Sequence, residues 1–317
     1  MTEFFEPASP DFAALRRPAL GYSMAVAGAT LFAVNGTVSK VILRAGLAPG
    51  QLTEFRSTVA FVVLLVGVVA AGQWKRMRAR RSELALLAVF GAAGFTFVQW
   101  CYFIALVRLP VGVALIIEYL APVLVTLYAR LVLKEQVRAR MWVGLVLALA
   151  GLSIIAQVWS GSAPNPVGLL AGLGAAVSLS IYYLAGQHML KTRDSISLTT
   201  WGFGFSAVVC AVLAPWWDFP FGVLSHAATL TAFHDSITTP VWVLGIELAL
   251  LGTVGPFLLV VGCLRHLRAS QAGIVGMTEP VLAAVVAFFV LGESLSPVQL
   301  IGGAIVLTAV VLAESAR

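Results

Sequence analysis

Three glutamates stand inside long apolar runs, where an ionised carboxylate is costly to insert into lipid. Glu118 lies four residues before Pro122, Glu279 lies directly before Pro280, and Glu247 lies in a separate apolar run. Ionisable groups in membrane spans mark substrate or ion pathways, so each carboxylate could accept a substrate amine or carry a coupling proton. The alternative is a structural carboxyl group, paired with an arginine or protonated and hydrogen-bonded to a neighbouring helix.

The two prolines predict a second property of these runs. Each removes a backbone donor, so the carbonyls of Glu118 and Gly276 lose their helical partners. Loosened backbone at this depth is tolerated where protein or a water-filled cavity meets it. We therefore predict that Pro122 and Pro280 kink two helices that line a substrate path. Two packing kinks inherited by duplication are the alternative.

Other polar residues interrupt the first three apolar runs. Lys40, Glu54 and Arg56 fall toward one end of the first two runs, and a structural ion pair among them is the favoured interpretation. Alternatively, the planar guanidinium of Arg56 could hold a substrate carboxylate. Asn35 and Gln99 lie deeper, where interhelical hydrogen bonding and cavity lining are equally good explanations.

Aromatic residues near these polar groups could form the wall of a cavity. Packing between helices and anchoring at the lipid interface are the more common roles of such residues. Tyr119, directly after Glu118, is the member we place among the candidate binding residues. The full set is Trp100, Tyr102, Tyr119, Tyr182 and Tyr183.

The composition of the chain indicates which type of secondary structure holds these residues in place. Of 317 residues, 60% are apolar and 11% are charged, against about 25% charged in an average soluble protein. This excludes a disordered chain, a nucleic-acid-binding module and a receptor with a large soluble domain. The three cysteines lie within apolar runs, and their spacing fits neither a zinc site nor a disulfide framework. No cofactor or metal is predicted.

The apolar runs predict an all-α integral membrane protein with ten transmembrane helices. A short tail, 1–19, precedes them, and an aromatic-rich connection, 217–240, is the longest between two spans. The spans are 20–43, 51–72, 84–105, 111–131, 140–159, 167–189, 196–216, 241–263, 269–291 and 297–314.

Basic residues predict the orientation of these spans. With ten spans, 16 of the 20 lysines and arginines fall on one side of the membrane. Basic residues in short connections favour the cytoplasm, so both termini are predicted to be cytoplasmic. The net charge of +6 is therefore a topology signal and not a sign of nucleic-acid binding.

The chain also repeats itself. Residues 105–144 match residues 263–302 at twelve of forty positions without a gap, including Pro122 with Pro280 and Glu135 with Glu293. Because each half holds five spans, the halves must have opposite orientations in the membrane. The turn after Glu135 is basic and the turn after Glu293 has no basic residue, as opposite membrane faces require. We interpret these two symmetric glutamates as structural groups that accept hydrogen bonds from the following helix.

Two segments resemble the closing hairpin of an EamA domain. They are Thr278-Glu279-Pro280-Val281 with Leu291-Gly292-Glu293-Ser294-Leu295, and the weaker copy Tyr119-Leu120-Ala121-Pro122-Val123 with Leu133-Lys134-Glu135. Two such domains resemble the drug/metabolite transporter superfamily over about residues 22–314. The resemblance implies repeats at 20–159 and 167–314 and a carrier for small metabolites, often an exporter of amino acids or related compounds. It also favours Arg56, because the family often has an arginine at the start of its second span.

These observations predict a secondary transporter in a bacterial plasma membrane, working by alternating access. Its partners would be a small-molecule substrate, the lipid bilayer and protons as a coupling ion. Inverted repeats with a midplane site between them are a feature of many such proteins. An intramembrane lipid-linked transferase and a channel-like facilitator are the alternatives. The transferase is disfavoured because every aspartate falls outside the predicted spans and no metal or phosphate motif occurs.

Overall fold

A computed structural model of the chain describes residues 17–109, 111–155, 165–232, 235–286 and 296–314. Within these ranges the protein is mostly helical. Two further helices, Ala139–Ile155 and Pro297–Ala313, are apolar but shorter than the seven that are long and apolar enough to cross a membrane. Those seven are Pro18–Arg44, Pro49–Ala70, Arg81–Arg108, Val113–Leu131, Pro166–Met189, Ser195–Leu213 and Val241–Cys263. The ten-span count stays a prediction.

The helices are numbered so that two parts of one interrupted helix share a number. Short helical turns at Trp74–Met77, Trp216–Asp218 and Phe221–Leu224 lie in the connections. The helices are α1 (Pro18–Arg44), α2 (Pro49–Ala70), α3a (Arg81–Gly91), α3b (Val98–Arg108), α4a (Val111–Glu118), α4b (Ala121–Leu131), α5 (Ala139–Ile155), α6 (Pro166–Met189), α7 (Ser195–Leu213), α8a (Val241–Ala249), α8b (Gly255–Cys263), α9a (Ala269–Gly276), α9b (Glu279–Val286) and α10 (Pro297–Glu314).

Local sequence explains where several helices begin. Proline occupies the first turn of α1, α2 and α6, where its missing N–H costs nothing. The Asn165 side chain accepts hydrogen bonds from the backbone N–H groups of Val167 and Gly168 at the start of α6. Asp194 accepts one from Ser197 at the start of α7. Such caps satisfy donors that have no partner within the helix.

Irregular backbone occurs at matching positions in the two halves. A wide π-helical segment, Ala92–Phe97, joins α3a to α3b, and another, Leu250–Val254, joins α8a to α8b. Their first residues are 158 positions apart, the shift of the sequence repeat. The break between α4a and α4b falls at residues 119–120, and the break between α9a and α9b falls at 277–278, again 158 apart. Pro122 and Pro280 are each the second residue of the helix that follows the break.

Close helix packing relies on small residues. Helices α5 and α10 cross where Gly151 meets Gly302, and a Cβ atom at Gly151 would lie 2.8 Å from the Gly302 carbonyl oxygen. Small residues allow this approach of backbones within a membrane bundle. Helix α2 packs on α7, α3b on α6 and α8b on α1. Aromatic residues of α3, α6, α7 and α8 form the largest buried cluster, with Phe95 at its centre.

The connection between α2 and α3a is tied to the turn between α6 and α7. Arg193 Nη2 donates to the Arg78 carbonyl at 2.8 Å and to Glu83 Oε2 at 2.9 Å. Ser197 Oγ donates to the Arg76 carbonyl at 2.8 Å. These two connections therefore lie on the same side of the molecule, as the distribution of basic residues requires.

The all-α prediction is wrong in the connection 217–240. Ala227–Ala232 (β1) and Asp235–Pro240 (β2) form an antiparallel pair, with Ala227 opposite Pro240 and Ala232 opposite Asp235. The segment is rich in threonine, and β-branched residues favour strands over helices. Thr229 and Thr238 face each other across the pair, with their Oγ1 atoms 3.4 Å apart. The protein is thus mostly helical with one hairpin outside the helices.

The α5–α10 crossing generates a stability prediction. A valine at Gly151 would overlap the backbone of α10, and overpacking of this kind costs about 1–3 kcal/mol. Gly151→Val is therefore expected to lower the midpoint of thermal unfolding in detergent. Gly67→Val is the matched control, because nothing lies within 4 Å of a Cβ atom at that exposed position of α2. Equal midpoints for the two variants would contradict the packing described here.

Candidate functional site

A cavity of about 100 Å³ lies between α1, α2, α3b, α4a, α6, α8b and α9. This is room for several water molecules or a small metabolite, and it is smaller than the roughly 300–1,000 Å³ of pockets for drug-sized ligands. The cavity brings together residues that are far apart in sequence. The candidate residues in its wall are Asn35, Arg56, Gln99, Glu118, Tyr119 and Glu279.

Arg56 supplies the positive charge of this cavity. Its side chain is held by neutral groups: Nε donates to Thr253 Oγ1 at 2.8 Å, and Nη2 donates to the Gly252 carbonyl at 2.9 Å. The guanidinium carbon lies 5.4 Å from the ring centre of Phe103, within the range of a cation–π contact. The residue is only 2% exposed. A buried guanidinium thus faces the cavity; Glu247 interacts with it electrostatically, but no carboxylate oxygen of the described residues lies within 4.0 Å.

The ion pair predicted among Lys40, Glu54 and Arg56 is not formed. Among the described residues no carboxylate oxygen lies within 4.0 Å of Lys40 or Arg56. The reason is helical geometry: residues two apart on a helix differ by about 200° and do not face each other. Glu54 and Arg56 therefore point away from one another across α2.

The acceptors that hold Arg56 lie on the π-helical segment of α8. The Gly252 carbonyl is available because the residue four positions further on, Pro256, has no N–H to donate to it. The Gly252 carbonyl also accepts a hydrogen bond from Asn35 Nδ2 at 2.7 Å. Asn35 Oδ1 in turn accepts from Ser39 Oγ at 2.8 Å, and Thr253 Oγ1 donates to the Leu248 carbonyl at 2.7 Å. A wide turn departs from the usual i to i+4 pairing, and π-bulges are frequent at functional sites. Asn35 is thus part of the support of Arg56 as well as of the cavity wall.

Two carboxyl groups face the same cavity. Glu279 begins α9b and Glu118 ends α4a, so both stand at the interrupted points of their helices. Tyr119 donates its hydroxyl hydrogen to Glu279 Oε2 at 2.7 Å, which links the two breaks directly. Both glutamates are half-buried. The prolines that follow, Pro122 and Pro280, account for the breaks because neither can continue the preceding helical hydrogen bonds.

Two uncharged groups in the wall have unused hydrogen-bonding capacity. Gln99 Nε2 donates to the Phe95 carbonyl at 2.7 Å, whereas Gln99 Oε1 has no partner among the described residues. The hydroxyl of Tyr182 is also buried without a partner there. Unsatisfied buried polar groups are rare in proteins and call for an explanation. A polar ligand in the cavity would supply the missing partners.

Four of the five aromatic candidates line the cavity and one does not. Tyr102, Tyr119, Tyr182 and Tyr183 are in its wall. Trp100 is instead directed at α2, where a Cβ atom at Gly50 would lie 2.6 Å from its ring.

Sequence reasoning did not identify Phe32, Phe103 and Phe257, which are also wall residues. Phenylalanine in an apolar run gives no signal that separates a cavity wall from a lipid-facing surface. Gly252 was also missed, although extending the repeat would have aligned it with Gly94.

Other candidates lie outside the cavity. Glu247 is on α8a and its Oε2 is buried without a hydrogen-bond partner among the described residues, but it is not in the cavity wall. Glu135 accepts a hydrogen bond from Arg268 Nη1 at 3.4 Å, an interhelical contact and not the predicted one with the following helix. Glu293 lies outside the described residues.

Comparison with known proteins shows the family of this chain. Residues 19–157 and 166–314 each match the EamA-like transporter family, so the chain belongs to this family. The family, the apolar helices and the cavity together describe a multi-pass membrane protein that transports a small molecule.

The chain is also similar to individual transporters and to a solved structure. Over 267 residues, 84% of each chain, the protein is 29% identical to the probable terminal-alkyne amino-acid exporter of Streptantibioticus cattleyicolor. It is 26% identical to the threonine/homoserine exporter RhtA of Escherichia coli K12, covering 82% of this chain and 79% of that one. A crystal structure with 20% identity has the same fold, with a TM-score of 0.66 over 92% of this chain and 96% of the other.

The contact between Tyr119 and Glu279 generates a prediction. Tyr119→Phe removes one hydrogen bond, which contributes about 0.5–1.5 kcal/mol in a typical case. The thermal unfolding midpoint in detergent is expected to fall for this variant. Tyr102→Phe is the matched control, since no hydrogen bond of its hydroxyl is found among the described residues. If removal of either hydroxyl had the same effect, the Tyr119–Glu279 bond would not be a significant contact.

Proposed function

We propose that this protein is a secondary transporter that exports a small zwitterionic amino acid, or a closely related compound, by alternating access. The observation that carries the proposal is the charge pattern of one small cavity. The buried guanidinium of Arg56, which has no carboxylate oxygen of the described residues within 4.0 Å, shares the cavity with two carboxyl groups, Glu118 and Glu279. An amino-acid zwitterion carries the two complementary charges on groups attached to one carbon atom.

Burial of the Arg56 guanidinium has an energetic cost. A buried charge without a closely paired counter-ion is unfavourable, and the hydrogen bonds to a carbonyl and a hydroxyl, together with the more distant Glu247, offset only part of that cost. A carboxylate on the substrate would complete the set of partners, and a planar guanidinium suits it geometrically. The substrate ammonium would then face Glu118 and Glu279. Gln99 Oε1 and the Tyr182 hydroxyl would orient a polar side chain.

Alternating access requires parts of the molecule that can move around a fixed site. The interrupted helices α4 and α9 and the π-helical segments of α3 and α8 support this, because each has weakened local backbone bonding near the cavity. We infer ten transmembrane helices in two inverted five-helix repeats, 20–159 and 167–314, after the tail 1–19. The irregular segments 158 residues apart support the duplication, and the opposite charge of equivalent turns supports the inversion.

The location follows from the same features. We infer a bacterial plasma membrane with both termini in the cytoplasm, because basic connections favour that side. Outward transport is supported by the relatives, two of which are named as exporters of amino acids. A carrier and not an enzyme is supported by membership of a transporter family. A carrier is distinguished from a channel by saturation and counterflow.

The role of Arg56 can be tested with a ligand that lacks the carboxylate. Arg56→Gln is expected to weaken L-threonine binding about 10- to 100-fold, because a hydrogen bond to a charged group contributes about 1.5–3 kcal/mol. Binding of threoninol, which has an alcohol where threonine has a carboxylate, should change far less. The measurement is competition against a transported labelled amino acid in proteoliposomes.

Arg108→Gln is the matched control for this experiment. Arg108 ends α3b, is exposed, and donates to the Ile104 carbonyl in its own helix at 3.1 Å. It should leave both ligands unaffected. If Arg56→Gln weakened threonine and threoninol equally, Arg56 would act on the structure of the cavity and not on a substrate carboxylate.

A further inference from the structure

A second buried polar cluster lies between α2 and α7, outside the wall of the cavity. Ser57 Oγ and Ser206 Oγ are 2.8 Å apart, and Thr96 Oγ1 donates to Ser206 Oγ at 2.8 Å. Cys210 Sγ donates weakly to Thr96 Oγ1 at 3.9 Å. All four residues are fully buried. Thr96 belongs to the π-helical segment of α3. This segment therefore contributes a residue to the second cluster, just as the π-helical segment of α8 contributes the partners of Arg56.

Glu54 lies next to this cluster and is 1% exposed. Thr58 donates to its Oε1 at 3.3 Å, and its Oε2 has no hydrogen-bond partner among the described residues. No lysine, arginine or histidine of the described ranges comes within 4.0 Å of it. Cys210 of α7 and the indole of Trp216 are the other groups near its carboxyl.

This environment favours the neutral acid. An ionised carboxylate buried without a cation is more costly than a protonated one, and the hydrogen bonds that Thr58, Trp216 and Cys210 direct toward Glu54 offset only part of that cost. The protonated form of Glu54 is therefore the less costly one in this environment. Cys210 is the titratable side chain that faces it from α7. Arg56 is on the opposite face of α2, where Glu247 of α8a interacts with it electrostatically.

We propose that Glu54 is a proton-binding site that couples substrate export to proton entry, a role that rests on the proposed carrier function. Helix α2 carries Arg56 toward the cavity and Glu54 toward α7. A movement of α2 against α7 would expose Glu54 to water and at the same time change the access of the cavity.

The proton balance of one cycle is simple. The Glu54 carboxylate takes a proton from water on the outer side and releases it to water on the inner side. No covalent bond to substrate is needed. Glu54 and Arg56 both belong to helix α2. Proton binding and substrate binding are therefore coupled through the movement of this helix between two states.

Infrared spectroscopy tests the protonation of Glu54 without any substrate. The difference spectrum between wild type and Glu54→Gln at neutral pH is expected to contain the C=O band of a carboxylic acid. Asp218→Asn, which removes an exposed carboxylate, should give carboxylate bands instead. Carboxylate bands in the Glu54→Gln difference would overturn the proposal. If Glu54→Gln folds poorly, Glu54→Asp serves in its place. Because this variant keeps a carboxyl group, its spectrum should keep the C=O band of a carboxylic acid.

Transport tests the coupling. In proteoliposomes, Glu54→Gln is expected to retain counterflow of labelled L-threonine and to lose accumulation driven by a pH gradient, with Glu54→Asp recovering it. Accumulation retained by Glu54→Gln would overturn the proposal, and so would loss of counterflow in a folded Glu54→Gln protein. Wild-type accumulation that ignores the pH gradient would overturn the coupling role alone. Absence of counterflow in wild type for every amino acid tried would overturn the proposed function as well.

Discussion

The bond between the Arg56 guanidinium and the Gly252 carbonyl is the contact on which the candidate site depends. A regular α-helix would pair that carbonyl with the backbone N–H of residue 256, but Pro256 has no N–H, so the carbonyl is available to side chains. Asn35 shares the same acceptor, so α1, α2 and α8 are joined at one atom. These hydrogen-bond partners are neutral, and Glu247, which interacts with Arg56 electrostatically, forms no ion pair with it within 4.0 Å, so the positive charge of Arg56 is only partly compensated. The cavity therefore keeps an attraction for an anion that a structural ion pair would have removed.

The two halves of the chain use the same devices for different purposes. Each has a π-helical segment and a proline-associated helix break, 158 residues apart. One π-helical segment supplies Gly252 and Thr253 to Arg56, and the other supplies Thr96 to the serine cluster between α2 and α7. The breaks bring Glu118 and Glu279 to one cavity, where Tyr119, the residue after Glu118, donates a hydrogen bond to Glu279. The two halves thus share the positions of their backbone irregularities but differ in the side chains at those positions.

Much of this arrangement could be predicted from residue types and local order. Apolar runs predicted the helices, and prolines beside glutamates pointed to breaks that the structure has at residues 119–120 and 277–278. The hairpin was missed because the β-propensity of two six-residue stretches is a weak signal beside ten long apolar runs. The partners of Arg56 and the isolation of Glu54 depend on which helices pack together, and local sequence does not contain that information. The roles of the candidate residues stay predictions.

The central claim is that the cavity carries a zwitterionic amino acid across the membrane. Counterflow measures this most directly: proteoliposomes are loaded with an unlabelled amino acid, and entry of its labelled form is followed across a panel of amino acids. The account predicts saturable entry of at least one of them that is stimulated by the internal pool. It also predicts that other zwitterions inhibit more strongly than amines or carboxylic acids of similar size. Linear entry without such stimulation, or equal inhibition by singly charged analogues, would contradict it.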